Sequence, residues 1–222
     1  MSDSSKTAKR EVIDTVRESL SAFDPELIRQ MRQRYEDAGS QAALQPVIDG
    51  FLLDRFIEKH EAVNGTVEKV KTFKEVPEAV ARFISAHQLP LEMVMANTDF
   101  MRGFDWPHSW KIQRRSAIST DAVSVTDAVC AIAETGTIVV AASKQVSSTH
   151  MFLPDNHIVV LSGGVIVRHL EDALKICAPL TKNRSRGIHM ITGPSKTADV
   201  EQTIQYGAHG PRKLHAVIIQ EN

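Results

Sequence analysis

The sequence predicts an α/β domain preceded by an N-terminal helical segment, and three observations carry that prediction. Residues 4–64 place apolar side chains at helical spacing and contain no strand pattern. From Gly65 onward, short apolar runs alternate with amphipathic stretches, which is the rhythm of βαβ units. Residues 188–219 then read as strand, loop, helix, glycine stop and strand, a further βαβ unit with a polar turn. The boundary falls between Asn64 and Gly65, giving a helical segment of residues 1–64 and an α/β domain of residues 65–222.

At 222 residues the chain can bury on the order of 70% of its unfolded surface, so no staple is required. Its 26 basic and 27 acidic side chains nearly cancel and leave no global field to attract nucleic acid or an anionic membrane, so neither is expected as a partner. No apolar run approaches the roughly 18 residues of a membrane span, and the polar start Met1-Ser-Asp-Ser-Ser-Lys6 has no signal-peptide core. A cytoplasmic protein is expected. Cys130 and Cys177 lie in apolar surroundings and read as buried structural thiols. Two thiols cannot supply the four ligands of an iron–sulfur cluster or a cysteine-only zinc site. The histidines form no H-E-x-x-H or Glu-x-x-His pair, and His150 and His157 are separated by a proline with no carboxylate at ligand spacing, so no metal is expected.

In chain order, Val12, Ile13, Val16 and Leu20 mark one helix, and Leu27, Ile28 and Met31 mark another that starts at Asp24-Pro25, before Gly39-Ser40 breaks the run. A third helix, from about Leu44 to Val63, carries Val47, Ile48, Phe51, Leu52, Phe56 and Ile57 on one broad face. These helices either fold back over the α/β core or pair with another subunit, so a homodimer is one expectation. Residues 66–72 alternate as a half-buried strand, 76–87 read as an amphipathic helix with Pro77 in its first turn, and 91–96 form a second strand. Residues 97–115 interrupt the rhythm with Phe100, Phe104, Trp106 and Trp110. Such a loop lines a pocket or covers a core edge; the second is preferred, because both tryptophans would otherwise have no core to join. Arg114 and Arg115 read as a solvated face, with an anion contact the alternative.

Residues 122–125 form a short strand, Thr126 or Asp127 caps a helix through Ala133, and Glu134-Thr-Gly-Thr137 ends that helix and launches the buried strand 138–142. Glu134, beside Gly136, stands where a carboxylate could face a ligand, act as a base or attack an acyl group. The plainer alternative is a carboxylate bonded only to neighbouring backbone. Residues 143–154 form a polar loop that docks Met151, Phe152 and Leu153 on the core; 157–161 and 165–167 are strands around Gly163-Gly164. A helix covers 171–178, and 179–187, with Lys182, Arg184 and Arg186, is a basic surface loop.

The polar turn of the last βαβ unit is Ile191-Thr-Gly-Pro-Ser-Lys-Thr-Ala-Asp199. Gly193-Pro194 stops the strand, Ser195 is the N-cap of the following helix, and Asp199 and Glu201 place negative charge near its positive end. Gly207, Gly210 and Pro211 end the helix. Free backbone N–H groups, the hydroxyls of Ser195 and Thr197 and the ammonium of Lys196 would there stabilise a phosphate or carboxylate. The alternative is a capped helix with Lys196 in water. His209 either caps carbonyls or points at the ligand crevice, and neither the dinucleotide nor the P-loop fingerprint is present.

Three stretches together resemble a known family in order and spacing. They are Ala133-Glu-Thr-Gly-Thr-Ile138, Phe152-Leu-Pro-Asp-Asn-His-Ile-Val-Val-Leu161, and the 191–201 turn followed by Gly207-Ala-His-Gly-Pro-Arg212 and Leu214-His215. Over about residues 66–220 the chain closely resembles the LUD-domain family of lactate-utilisation protein C; residues 143–150 and the first 64 are not a close match. The resemblance implies a three-layer, Rossmann-like α/β fold similar to the sugar-phosphate isomerase, CoA-transferase and folate cyclo-ligase superfamily. It also implies a non-redox subunit acting with iron–sulfur partner proteins in the oxidation of L-lactate to pyruvate. The family motifs fall on Glu134, Thr135, Gly136 and Thr137, and on Gly193, Pro194, Ser195, Thr197, Asp199, Glu201, His209 and Gly210. Lys196 stands where many members have arginine, which keeps the charge and loses bidentate geometry. By analogy, a crevice between turns 134–137 and 193–197, both at carboxyl ends of parallel strands, holds a small anionic or nucleotide-like ligand, with Glu134 the candidate catalytic residue. No metal or covalently bound cofactor is expected. The rival roles are an acyl- or CoA-transferase using Glu134 as nucleophile and a regulatory or scaffolding module whose N-terminal helices hold a partner.

Overall fold

The apolar runs 158–161 and 216–219 become parallel strands buried on both faces. The computed structural model describes residues 10–15, 18, 24–37, 45–183, 187–198, 204–207 and 209–220. Its central sheet contains β1 (Thr66–Val70), β2 (Glu92–Met95), β3 (Lys111–Gln113), β4 (Val123–Asp127), β7 (Asn156–Ser162) and β12 (Lys213–Ile219). They are ordered β1-β12-β7-β4-β2-β3, and every neighbouring pair is parallel. Ile158, Val159, Val160 and Leu161 of β7 and Ala216, Val217, Ile218 and Ile219 of β12 are all buried, as strands covered on both sides require. The helix Val76–Ala86 starts with Pro77 in its first turn and buries Val76, Ala79, Val80, Phe83 and Ile84, the face that packs on β1 and β12.

A second sheet forms from two strands between β4 and β7 and two strands after β7. It comprises β5 (Cys130–Ile132), β6 (Thr137–Ala142), β8 (Ile166–Val167) and β9 (Gly187–Ile191), in the order β8-β5-β6-β9. Ala131, Ile138 and Val140 join the main core, whereas Cys130, Ile132 and Val139 join a smaller cluster with Ala173 and Cys177 of the helix Leu170–Asn183. Successive residues of one strand therefore serve two cores. The two buried cysteines are free thiols in the smaller one.

The described residues divide into two compact units, Met1–Pro46 and Val47–Asn222. In the first, residues 10–15 and Pro25–Asp37 are helical. The division drawn at Asn64 thus falls inside the second unit: the third helix spans only Leu52–Ala62 and packs on β1 and β8. Residues 45–51, read as its beginning, are not helical, although Ile48 is buried. The helix expected through Ala133 is β5, because the short continuous apolar run 128–133 shows no period that separates strand from helix. The helix expected after Ser195 is also absent: β10 (Lys196–Ala198) and β11 (Ile204–Tyr206) form an antiparallel ladder, and β-branched Thr197 and Ile204 suit it. The last helix runs from Leu170 to Asn183 and includes Pro179 and Lys182, where the sequence predicts a surface loop. Residues 143–154 contain a short helix, Thr149–Phe152, in which Met151 is buried while Phe152, like the following Leu153, stays exposed. Gly39-Ser40, Arg184 and Arg186 lie outside the described residues.

The aromatic stretch covers a core edge, as its composition suggested. Phe104 stacks on Phe73 and meets Phe100 and Trp106 edge-on, and the Trp106 Nε1–H donates to the Met101 carbonyl at 2.9 Å. Among the described residues no helix is long and apolar enough to cross a membrane.

Buried imidazoles give this fold an acid limit. Burial, with His150 nearby, pushes His157 down to about 3, and burial with His87 and His60 nearby pushes His215 down to about 4. An unfolded chain takes up these protons near about pH 6.5, so stability is full above that pH and is lost as pH falls toward the folded values. Urea titrations should therefore give a lower midpoint at about pH 5 than at about pH 7.5, with a smaller drop in His215→Gln. Equal midpoints at the two pH values would contradict this.

Candidate functional site

The two turns singled out in the sequence meet at one place. Glu134-Thr-Gly136 links antiparallel β5 and β6, and the segment from Thr192 follows β9, which pairs antiparallel with β6 so that Ile138 faces Ile191. The hydroxyls of Thr135 and Thr137 lie 2.6 Å apart, and those of Thr137 and Thr192 2.7 Å apart. A continuous chain of three hydroxyls thus joins the two turns. They do not stand at the carboxyl ends of parallel strands, as expected, because the β5–β6 segment turns back on itself.

Both turns rest on the end of the Leu52–Ala62 helix. Gly136 has φ +68, and a Cβ there would lie 2.3 Å from the His60 backbone nitrogen; Gly193 has φ +83, and a Cβ would lie 2.6 Å from the Val63 carbonyl oxygen. Only glycine meets both demands. The buried His60 ring contributes a 2.9 Å bond from Nδ1 to the Gly136 carbonyl, and burial lowers the proton affinity of that ring.

Glu134 is held by a residue distant in sequence. Its Oε2 lies 2.9 Å from Nδ1 of His169, whose side chain is 9% exposed against 30% for Glu134. That bond orients the carboxylate and engages one of its two oxygens, which suits a base or a positioned acceptor better than an unencumbered nucleophile. Thr135 is exposed, and Gly136 and Thr137 are buried.

The second turn differs from its expected form. The Ser195 N–H donates to the Pro211 carbonyl at 2.9 Å and the Ser195 carbonyl accepts from Gly207 at 3.0 Å, so Ser195 pins the turn to the 207–211 segment and caps no helix. Gly193 and Pro194 are buried, Ser195 is half-buried, and Lys196 is exposed at the start of β10. Thr197 pairs with Gln205 in the ladder. His209 is exposed in the loop before β12, and Asp199 and Glu201 lie outside the described residues. The anion-binding helix N-terminus is replaced by the C-terminal end of the helix beneath, whose partial negative charge opposes an anion by about 0.3–1 kcal/mol. A charge-assisted hydrogen bond from Lys196 is worth roughly 1.5–3 kcal/mol, so an anion at these turns depends on the lysine.

Sequence reasoning missed His169 and His60, which come from different elements with no local pattern to mark them; Thr192 lies inside the 191–199 turn, but the sequence assigns it no role. Among the described residues, no three His, Cys, Asp or Glu side chains are grouped to hold a metal ion.

The comparisons with known proteins agree with this architecture. The family model described as the LUD domain matches residues 53–219. A protein named lactate utilization protein C from Exiguobacterium sp. is 32% identical over 123 residues, 53% of each chain. One of the same name from Bacillus subtilis is 30% identical over 105 residues, 45% of this chain and 42% of that one. The chain spans about half the length of such relatives. A crystal structure of a DUF162 family protein from Deinococcus radiodurans matches with a TM-score of 0.57 at 18% identity, covering 78% of this chain and 99% of that one. At that identity the likeness shows the fold alone.

The turn geometry is directly testable. Gly136→Ala, which combines a strained φ with a clash against helix backbone, should lower the unfolding free energy by about 1–3 kcal/mol or more in urea titrations. An unchanged midpoint would contradict the contact.

Proposed function

The chain belongs to the LUD domain family, and on that premise we propose that it serves lactate utilisation as a non-redox subunit, beside iron–sulfur proteins that take the electrons as L-lactate becomes pyruvate. The observation that carries this reading is the family match over residues 53–219, joined by relatives named for lactate utilisation. The cysteines support the division of labour. Both are buried, and burial, with Cys177 adjacent, pushes the Cys130 thiol up to about 12. Neither is presented as a thiolate ligand, and two sulfurs are too few for a cluster of four.

In this reading the paired turns hold a small carboxylate. Thr135 and Lys196 are the exposed donors there, and the Glu134–His169 pair is the adjoining acid–base element. Deleting the gene should abolish growth on L-lactate while leaving growth on pyruvate intact, and restoring it should restore growth. Normal growth on lactate without it would overturn the assignment. Titration of the purified chain with lactate and pyruvate should show binding weakened about tenfold by Lys196→Ala, the equivalent of one charge-assisted hydrogen bond. Equal affinities would make the turn a structural element only.

A further inference from the structure

The central sheet offers a crevice that the paired turns do not use. From β2 the chain moves outward to the edge strand β3, returns past β2 to β4, and from β4 goes on to β7, away from β3. The connections leaving β2 and β4 therefore part, and in open parallel sheets ligands bind at the carboxyl ends beside such a point. A cavity of about 360 Å3 lies there, with Thr98 just after β2, Asp127 at the end of β4, and Val129, Ala141, Val146 and Leu180 among its apolar walls. A cleft of about 70 Å3 adjoins it through the shared Gln145 and is lined by Asn97, Arg114, Arg115 and Lys144 among others.

Three consecutive residues tie these walls together. The Ala96 carbonyl accepts from Arg114 Nη1 at 2.8 Å, the Asn97 N–H donates to the Gln145 carbonyl at 2.9 Å, and Thr98 Oγ1 donates to Asp127 Oδ1 at 3.0 Å. A cation, an amide and a carboxyl are thus fixed in sequence along one short segment. The charges are unequal in their compensation. Arg115 is neutralised by a two-pronged pair with Asp121 at 2.7 and 2.8 Å. Arg114 is half-buried, bonds to backbone carbonyls only, and has no carboxylate partner among the described residues; the exposed Lys144 has none either. Two positive charges at one cleft match a phosphate, which carries about −1.5 to −2 at neutral pH.

We propose that cleft and cavity form one binding site for a phosphomonoester with a largely apolar body that carries a hydroxyl or amine donor. The phosphate meets Arg114 and Lys144, the body fills the cavity against Val129 and Leu180, and the donor meets the Asp127 carboxyl. The site is independent of the lactate reading: lactate, three carbons long, would leave most of this space empty.

Calorimetric titration of the full chain with 4-hydroxyphenyl phosphate and with inorganic phosphate tests the proposal. The aryl ester should bind at least about tenfold tighter, because its ring leaves water for an apolar wall. Lys144→Gln, at an exposed position that folding does not need, should weaken both ligands. Ala141→Leu, which narrows the cavity alone, should abolish the advantage of the ester and leave inorganic phosphate unchanged; Leu180→Asp, on the exposed rim, should also abolish the advantage. Equal affinity for the two phosphates, absence of binding, indifference to Lys144→Gln, or an advantage that survives both cavity variants would overturn it.

Discussion

Close backbone contact between two turns and the end of one helix is the constraint on which the second half of the fold depends. The helix Leu52–Ala62 packs on β1 of the central sheet and on β8 of the second sheet, so it belongs to both layers. Gly136 and Gly193 bring the turns of the second sheet against its last turn and the following Val63 at distances that leave no room for a side chain. His60 adds a buried hydrogen bond to the Gly136 carbonyl. Once those contacts are made, Thr137 and Thr192 fall within bonding distance, and the hydroxyl chain between the turns is a consequence.

The same architecture separates two kinds of polar group. The turns of the second sheet carry hydroxyls and a carboxylate paired with histidine, over the negative end of a helix. The carboxyl ends of the parallel strands carry unneutralised cations and a half-buried carboxyl, Asp127, whose proton affinity burial raises. Bonding partners distinguish them: Glu134 bonds to a histidine, whereas Arg114 bonds only to backbone carbonyls. A chain close to electrical neutrality can therefore still hold a strongly anion-seeking cleft, because near cancellation of 26 basic and 27 acidic groups says nothing of their placement.

Much of the central sheet was legible in the sequence. β1, β2, β4, β7 and β12 and the helix Val76–Ala86 follow from long apolar runs and clear periods, and Pro77 marks the helix start. In the second sheet β6, β8 and β9 were legible as residues 138–142, 165–167 and the strand from 188, whereas Cys130–Ile132 was not, nor was Lys196–Ala198 of the separate β10–β11 ladder, because three-residue strands are too short for a period. That difference decided the candidate site. The residues of both turns were identified, and the structure brings the turns together, but the helix dipole that was to attract an anion vanished with the helix. Glu134 and His169 are 35 positions apart, so only the folded chain reveals the pair. Arg114 looked like a surface charge because its neighbours in sequence are polar, while its burial comes from the loop after β2.

Amide hydrogen exchange in wild type and His60→Ala tests the central contact most directly. If the helix end holds both turns, removing the imidazole that binds the Gly136 carbonyl should release protection at the Gly136 and Ser195 amides together, while β7 and β12 remain protected. Retained protection at both turns, or a loss spread evenly over the central sheet, would contradict it.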